Sequence, residues 1–101
     1  MAKVSALHGL IHNADDAAAF LVAMAQSRRL LALCKLAKQE INVGTLAEEL
    51  GISQSGVSVH LNTLKAQKLI TGRREGTEIF YSVTSPRVER ILIALAGIYL
   101  R

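Results

Sequence analysis

The chain has 101 residues, half of them hydrophobic, with a formal net charge of +4 and a pI near 9.6. That length suits one domain, 1–101, whose core is marginal by itself and would gain from association. A single cysteine excludes an intrachain disulfide. The longest apolar run, Ile91 to Leu100, is about half of the roughly 20 residues a bilayer requires. The start, Met-Ala-Lys-Val-Ser, lacks the apolar centre of a signal peptide. We expect a soluble, cytoplasmic protein with no membrane contact. The charge favours a polyanionic partner without choosing among DNA, RNA and an acidic membrane surface.

Residues 1–13 are mixed and read as a frayed arm or an early helical turn. His8 and His12 are spaced like half of a zinc site, but no second pair follows, so no metal is expected. Asn13 or Asp15 can begin the first clear helix, DDAAAFLVAMA, where two acids suit the positive end of the dipole. Ala17, Phe20, Leu21 and Met24 form its stripe, and Ala18 and Ala19 would let another helix approach. Gln26-Ser27 interrupts the pattern, with Ser27 a suitable cap. The next helix, RRLLALCKLAKQ, is apolar around much of its circumference and reads as the central core helix. Arg28 and Arg29 stand at its start, where the dipole disfavours cations. Solvated arginines are the plain explanation; a phosphate or an acidic partner residue is the sharper one. Cys34 lies on an apolar face, which favours a small buried core residue over an exposed, oxidant-sensing thiolate beside Arg28 or Lys38.

Ile41-Asn-Val-Gly is a short extended link. Thr45 to Leu50 reads as a short helix closed by Gly51, since glycine adopts the positive φ of a helix end freely. Ile52 should pack inward, and Ser53 or Ser55 can cap a second helix running to about Gln67. Val57, Leu61 and Leu64 make its buried stripe, which stops at Lys68; Leu69 and Ile70 carry the apolar character on. The opposite face holds Gln54, Ser55, Ser58, Asn62 and Lys65, with no acid. Two helices joined by a tight glycine turn make a helix-turn-helix. Amides and hydroxyls on such a face can bond base edges in a major groove, and lysine can meet a phosphate. The plain alternative is an ordinary solvated face. The imidazole of His60 faces the helix interface as much as the groove, so we read it as structural rather than a base contact.

From Ile70 the period becomes strand-like. Ile79, Phe80, Tyr81 and Val83 are β-branched or aromatic, and Glu75-Gly76-Thr77 supplies a hairpin turn. Arg73 and Arg74 stand at the start of this hairpin, and Thr77 at its turn. Between Ser53 and Arg74 the charged residues are Lys65, Lys68, Arg73 and Arg74, all cations. Only Phe80 and Tyr81 could stack on single-stranded bases, and one of them should be core. The expected fold is mainly α with a small β-hairpin wing (α+β), in the order α-α-α-α-β-β-α.

Ser85 can cap the last helix, with Pro86 at its first position, where no hydrogen bond is lost. Val88, Ile91, Leu92, Leu95, Ile98 and Tyr99 make a broad stripe, and Ile93 and Leu100 are apolar on other faces. Such a helix has something else to bury it. We expect the first and last helices to pair across a twofold axis in a homodimer, through Ala17, Phe20, Leu21, Met24, Ile91, Leu92, Leu95, Ile98 and Tyr99. Catalysis finds no support. There is no phosphate loop or nucleophile motif, and the pairs Asp15-Asp16 and Glu48-Glu49 point about 100° apart on a helix.

Taken together, these pieces resemble the ArsR/SmtB family of bacterial winged-helix regulators, over roughly residues 14–100. MAQSRRLLALCKL resembles the family's second-helix entry, SQSGVSVHLNTLKAQKLI its recognition helix with Ser58-Val59-His60-Leu61 at the Ser-x-His-Leu position, and GRREGTEIFYSV its wing. NVGTLAEELGISQSGVSVHL, LKAQKLI and the ending ALAGIYL are most similar to the NolR-type branch with its HlyU- and BigR-like relatives. The resemblance implies a dimeric repressor on an inverted repeat of double-stranded DNA. Its metal sensors carry cysteines where this chain reads Val43 to Glu49, or His and acids along the last helix, where this chain has only Glu89. Its dithiol sensors pair a second-helix cysteine, matched by Cys34, with another near Tyr99 or Leu100, where none stands. The expected protein has no cofactor, regulatory metal or dithiol switch. Gln54, Ser55 and Ser58 would read bases, while Ser53, Asn62, Lys65 and Arg28 would hold phosphates. Arg73, Arg74 and Thr77 would grip backbone or minor groove. The rival readings are a nonspecific nucleoid-type DNA binder, a single-cysteine redox repressor and a winged-helix module for protein partners.

Overall fold

The computed structural model describes residues 2–100, with side chains from 5 onward. Six helices and three short strands follow in the order α1 (Ala2–His12), α2 (Ala14–Met24), α3 (Ser27–Lys38), β1 (Ile41–Asn42), α4 (Val43–Leu50), α5 (Gln54–Ala66), β2 (Ile70–Glu75), β3 (Glu78–Val83) and α6 (Pro86–Tyr99). Two elements exceed the expected order. The early segment is a full helix rather than a frayed arm, and the link at Ile41 is a strand. β1 pairs antiparallel with β3, giving a sheet ordered β1-β3-β2. Two residues are too few for a strand period to register in sequence.

The core is built on α3, which buries Ala32, Leu33 and Leu36. Around it Leu46 of α4, Val57, Leu61 and Leu64 of α5, and Val88 of α6 are at most 2 % exposed. Tyr81 and Ile70 cover the sheet side of this cluster. Cys34 is not part of it. The thiol is exposed, on the outer stripe that α3 shares among Ser27, Leu31 and Lys38. The apolar circumference of α3 therefore includes a surface side, with Leu31 51 % exposed. Met24, expected at a dimer seam, is 4 % exposed and belongs to the protomer's own core.

The caps also correct the sequence reading in part. Gln26, not Ser27, caps α3 by accepting a bond from the Arg29 amide. Asn42 starts α4 two residues earlier than expected, its Oδ1 accepting from Thr45 N. Asn13 precedes α2 but donates its side-chain amide back to Gly9 O. Ser85 makes no side-chain cap, and Pro86 alone marks the start of α6. Ser53 caps α5 as expected, accepting from Gly56 N at 3.1 Å.

Arg29 resolves the conflict between two arginines and a helix N-terminus. Its Nε donates to Ala23 O at 2.6 Å and its guanidinium reaches Val22 O at 3.3 Å. These carbonyls end α2, where a helix has free acceptors and a negative dipole end. The cation thus faces the C-terminus of one helix while sitting on the N-terminus of another. Arg29 also comes within 3.5 Å of His60 Nδ1 on α5, so the imidazole is a structural neighbour of this joint. Burial, then the charges of Arg29 and Arg28, hold His60 below the ordinary value of 6.5.

The two helices of the helix-turn-helix end alike. Ile52 N donates to Ala47 O and Gly51 N to Glu48 O, with Gly51 at φ 68°. Leu69 N donates to Leu64 O and Lys68 N to Lys65 O, with Lys68 at φ 61°. Both are Schellman ends, and the second carries the apolar contact such ends favour, between buried Leu64 and Leu69. This is why the α5 stripe stops at Lys68: the residue has left the helix in a left-handed turn. A side chain with a Cβ sits there at a cost of about 1–2 kcal/mol.

Lys68→Gly should therefore stabilise the fold by up to about 1 kcal/mol, read as a higher denaturation midpoint with unchanged m-value. The depressed pKa of His60 has a definite sign in linkage. The unfolded state binds the proton more readily, so this contribution to stability is full above about pH 6.5 and is lost as pH falls through the lower folded value. Denaturation followed from pH 7 to 5 should show a decline that His60→Gln reduces.

Candidate nucleic-acid interface

Burial of Val57, Leu61 and Leu64 sets the rotation of α5 about its axis. The residues on its other side, Gln54, Ser55, Ser58, Asn62 and Lys65, are all exposed, as the spacing predicts. No acid interrupts the face. The Ser53 hydroxyl accepts the cap bond and lies 3.2 Å from Ser55 Oγ; one hydroxyl donates to the other, which leaves the pair one O–H donor for an acceptor outside. Lys65 Nζ stands 5.8 Å from the centre of the Tyr81 ring, so its stem crosses toward the sheet while the residue stays exposed. Arg28 is half-buried at the start of α3, away from that face along the chain but close enough to His60 to influence its proton.

The wing is the β2–β3 hairpin. Its two-residue turn is Gly76-Thr77, and Gly76 takes φ 65° at the first position, where a type II′ hairpin needs glycine. Thr77 and Gln54 line the same cleft with Asn42, Gly44 and Glu78. The hairpin tip and the N-terminus of α5 are thus neighbours, which sequence spacing alone did not reveal.

Register sorts the wing cations. Gly72 and Arg74 pair with Tyr81 and Ile79 on one face of the hairpin, while Arg73 pairs with Phe80 on the other. Arg73 does not hang free. Its guanidinium lies over the Phe80 ring, 5.1 Å from the centre, and makes two bonds to Glu40, at 3.0 and 2.8 Å. A third goes to Glu75. The side chain spans the sheet from β2 across β3 to the residue before β1. The hydrogen bonds with Glu40 and then Glu75 raise the Arg73 pKa, and the bond to Arg73 lowers that of Glu40. Arg73, expected as a DNA grip, thus commits three of its five N–H donors to two carboxylates of its own chain. Glu40 lies 33 residues from Arg73 in sequence, so the pairing has no local signal. Arg74 and Thr77 remain exposed, and no ion pair to Arg74 occurs among the described residues.

Glu75 and Glu78 stand directly opposite each other at the tip, an unfavourable like-charge pair. Each is answered separately, Glu75 by Arg73 and Glu78 by Asn42 Nδ2 at 2.7 Å.

Sequence periodicity also passed over Val59. It belongs to none of the apolar stripes and is 65 % exposed among the polar residues of α5. Of the expected dimer residues, Tyr99 is 80 %, Ile98 69 % and Leu21 49 % exposed, while Ala17, Phe20, Ile91, Leu92 and Leu95 are half-buried. Leu7, Leu10 and Ile11 of α1 add further exposed apolar surface. Among the described residues no three His, Cys, Asp or Glu side chains gather as a metal site. No single described helix is long and apolar enough to cross a membrane.

The model of the family described as bacterial regulatory protein, arsR family, matches residues 26–71, from the α3 cap through α5 to the first wing strand. The chain is similar to the nodulation protein NolR of Rhizobium meliloti, 49% identical over 87 residues, covering 86% of this chain and 71% of that protein. Among solved structures, the transcriptional repressor BigR from Xylella fastidiosa matches with a TM-score of 0.87 at 28% identity, over 93% of this chain and 96% of that one. A homodimeric winged helix-turn-helix DNA-binding domain from Mycobacterium bovis matches with a TM-score of 0.78 at 31% identity, over 87% and 82%. The fold, the placement of α5 beside the wing and these likenesses agree: the chain belongs to the ArsR family of bacterial regulatory proteins, non-enzymatic DNA-binding regulators of transcription built on a winged helix.

Proposed function

We propose that this chain is a homodimeric, sequence-specific repressor that binds an inverted repeat in promoter DNA. The observation that carries this reading is the exposed, acid-free face of α5 beside the wing. Gln54, Ser55 and Ser58 read base edges; Ser53, Asn62, Lys65 and Arg28 hold phosphates; Arg74 and Thr77 of the wing meet the backbone or minor groove. The apolar faces of α1, α2 and α6, with Leu7, Leu21, Ile98 and Tyr99 exposed, support pairing with a second copy. Dimerisation would set two α5 helices about 34–36 Å apart, one turn of DNA. Repression is supported by the likeness to BigR, and pairing by the likeness to the Mycobacterium bovis homodimer. The single cysteine supports a regulator that works without an intrachain dithiol switch.

Selection from a random duplex library with reduced, metal-free protein tests the reading. Enrichment of one inverted repeat is expected. Retention without enrichment would make the protein a nonspecific DNA binder, and no retention even at low salt would turn the α5 face toward a protein partner. On the enriched duplex, Gln54→Ala should cost about 1–3 kcal/mol and relax one base position. Lys65→Ala should weaken all sequences alike and reduce the salt slope by about 1 per site. Sedimentation should give twice the 10.9 kDa chain mass, and a double change, Ile98→Glu with Tyr99→Glu, should give the monomer with its helical content kept.

A further inference from the structure

We infer that Val59 is a specificity-determining residue that reads the 5-methyl group of a thymine in the major groove. The inference rests on the α5 face being the DNA-reading face. Val59 lies two residues beyond Val57, about 200° round the helix, so the burial of Val57 turns Val59 outward. It is 65 % exposed. Ser55 and Asn62, both exposed, are its neighbours at i−4 and i+3, the spacings that share a helix face, and exposed Ser58 lies about 100° to one side. The other large exposed apolar residues of the described chain stand on α1, α2, α3 and α6 or just past it, and Val59 alone is on α5. It therefore belongs to no apolar seam and sits inside a polar patch.

The chemistry of the groove says what such a residue selects. Valine has two methyl groups and neither donor nor acceptor. Of the four bases, only thymine places an apolar group on the major-groove edge. Against guanine, cytosine or adenine at that position, valine would cover a polar edge and leave it without a partner. The polar neighbours supply orientation through their hydrogen bonds, and Val59 adds preference at one base pair in each half-site.

The test uses the duplex that the unaltered protein enriches from the random library. Each thymine is replaced in turn by deoxyuridine, which removes the methyl group and keeps the Watson–Crick pair. At one position of each half-site the replacement should weaken binding about fourfold, the worth of one buried methyl. In Val59→Ala that position should bind thymine and uracil alike, while Gln54→Ala should keep the discrimination. Val59 is mostly exposed and alanine favours helices, so the variant should fold; circular dichroism and dimer mass verify it. Val59→Thr, which keeps one methyl, should retain part of the effect. An enriched duplex that binds equally well with uracil throughout, or a discrimination unchanged in Val59→Ala, would overturn the assignment and leave the DNA-reading role of α5 intact. If no duplex is enriched, the α5 reading and this inference fall together.

Discussion

Val57, Leu61 and Leu64 are no more than 2 % exposed, and their burial against Leu33 and Leu46 fixes the rotation of α5. A helix has one rotational freedom about its axis, and these residues remove it. Everything presented outward follows: Gln54 and Ser58 toward one flank, Ser55 and Asn62 at the crest, Lys65 near the sheet. The Schellman ends at Gly51 and Lys68 fix where α5 is entered from α4 and where it hands over to β2. The core thus acts at a distance as the aiming device for a polar surface.

The basic residues divide into two groups. Arg29 and Arg73 work inside the protomer, one closing the end of α2 and the other tying the sheet together. Arg28, Arg74 and Lys65 form no ion pair among the described residues. A net charge of +4 is therefore a poor guide to which cations face a partner. The distinction depends on carboxylates and carbonyls brought close by folding, such as Glu40, which is 33 residues from Arg73.

Much of this was legible in the sequence because it is local. The α4–turn–α5 unit, the hairpin turn at Gly76 and the polar face of α5 each follow from spacing and turn chemistry within a few residues. What escaped is what folding adds across distance. Asn42 shows this well: its neighbours look like a link, yet β3 recruits Ile41 and Asn42 into the sheet. Cys34 and Met24 exchanged their expected surroundings because a stripe read on one helix does not tell which neighbour covers it. Met24 of α2 joins the buried core, whereas Cys34 lies on the exposed side of α3. Lys68 in a left-handed turn was hidden because glycine, the usual marker, is missing there.

Asn42 has one amide and uses both ends of it. The oxygen starts α4 and the nitrogen holds Glu78 beside the wing turn, while Arg73 straps the same hairpin to Glu40. A β-hairpin anchored at two points to the body of the protein has already surrendered most of its conformational freedom during folding. Docking such an element is closer to rigid-body association than to coupled folding, with little segmental entropy left to lose. Its calorimetric mark would be a change in heat capacity set by the surface covered, without the large excess that accompanies the ordering of a disordered arm. In that respect the wing behaves as part of the scaffold that happens to reach the surface.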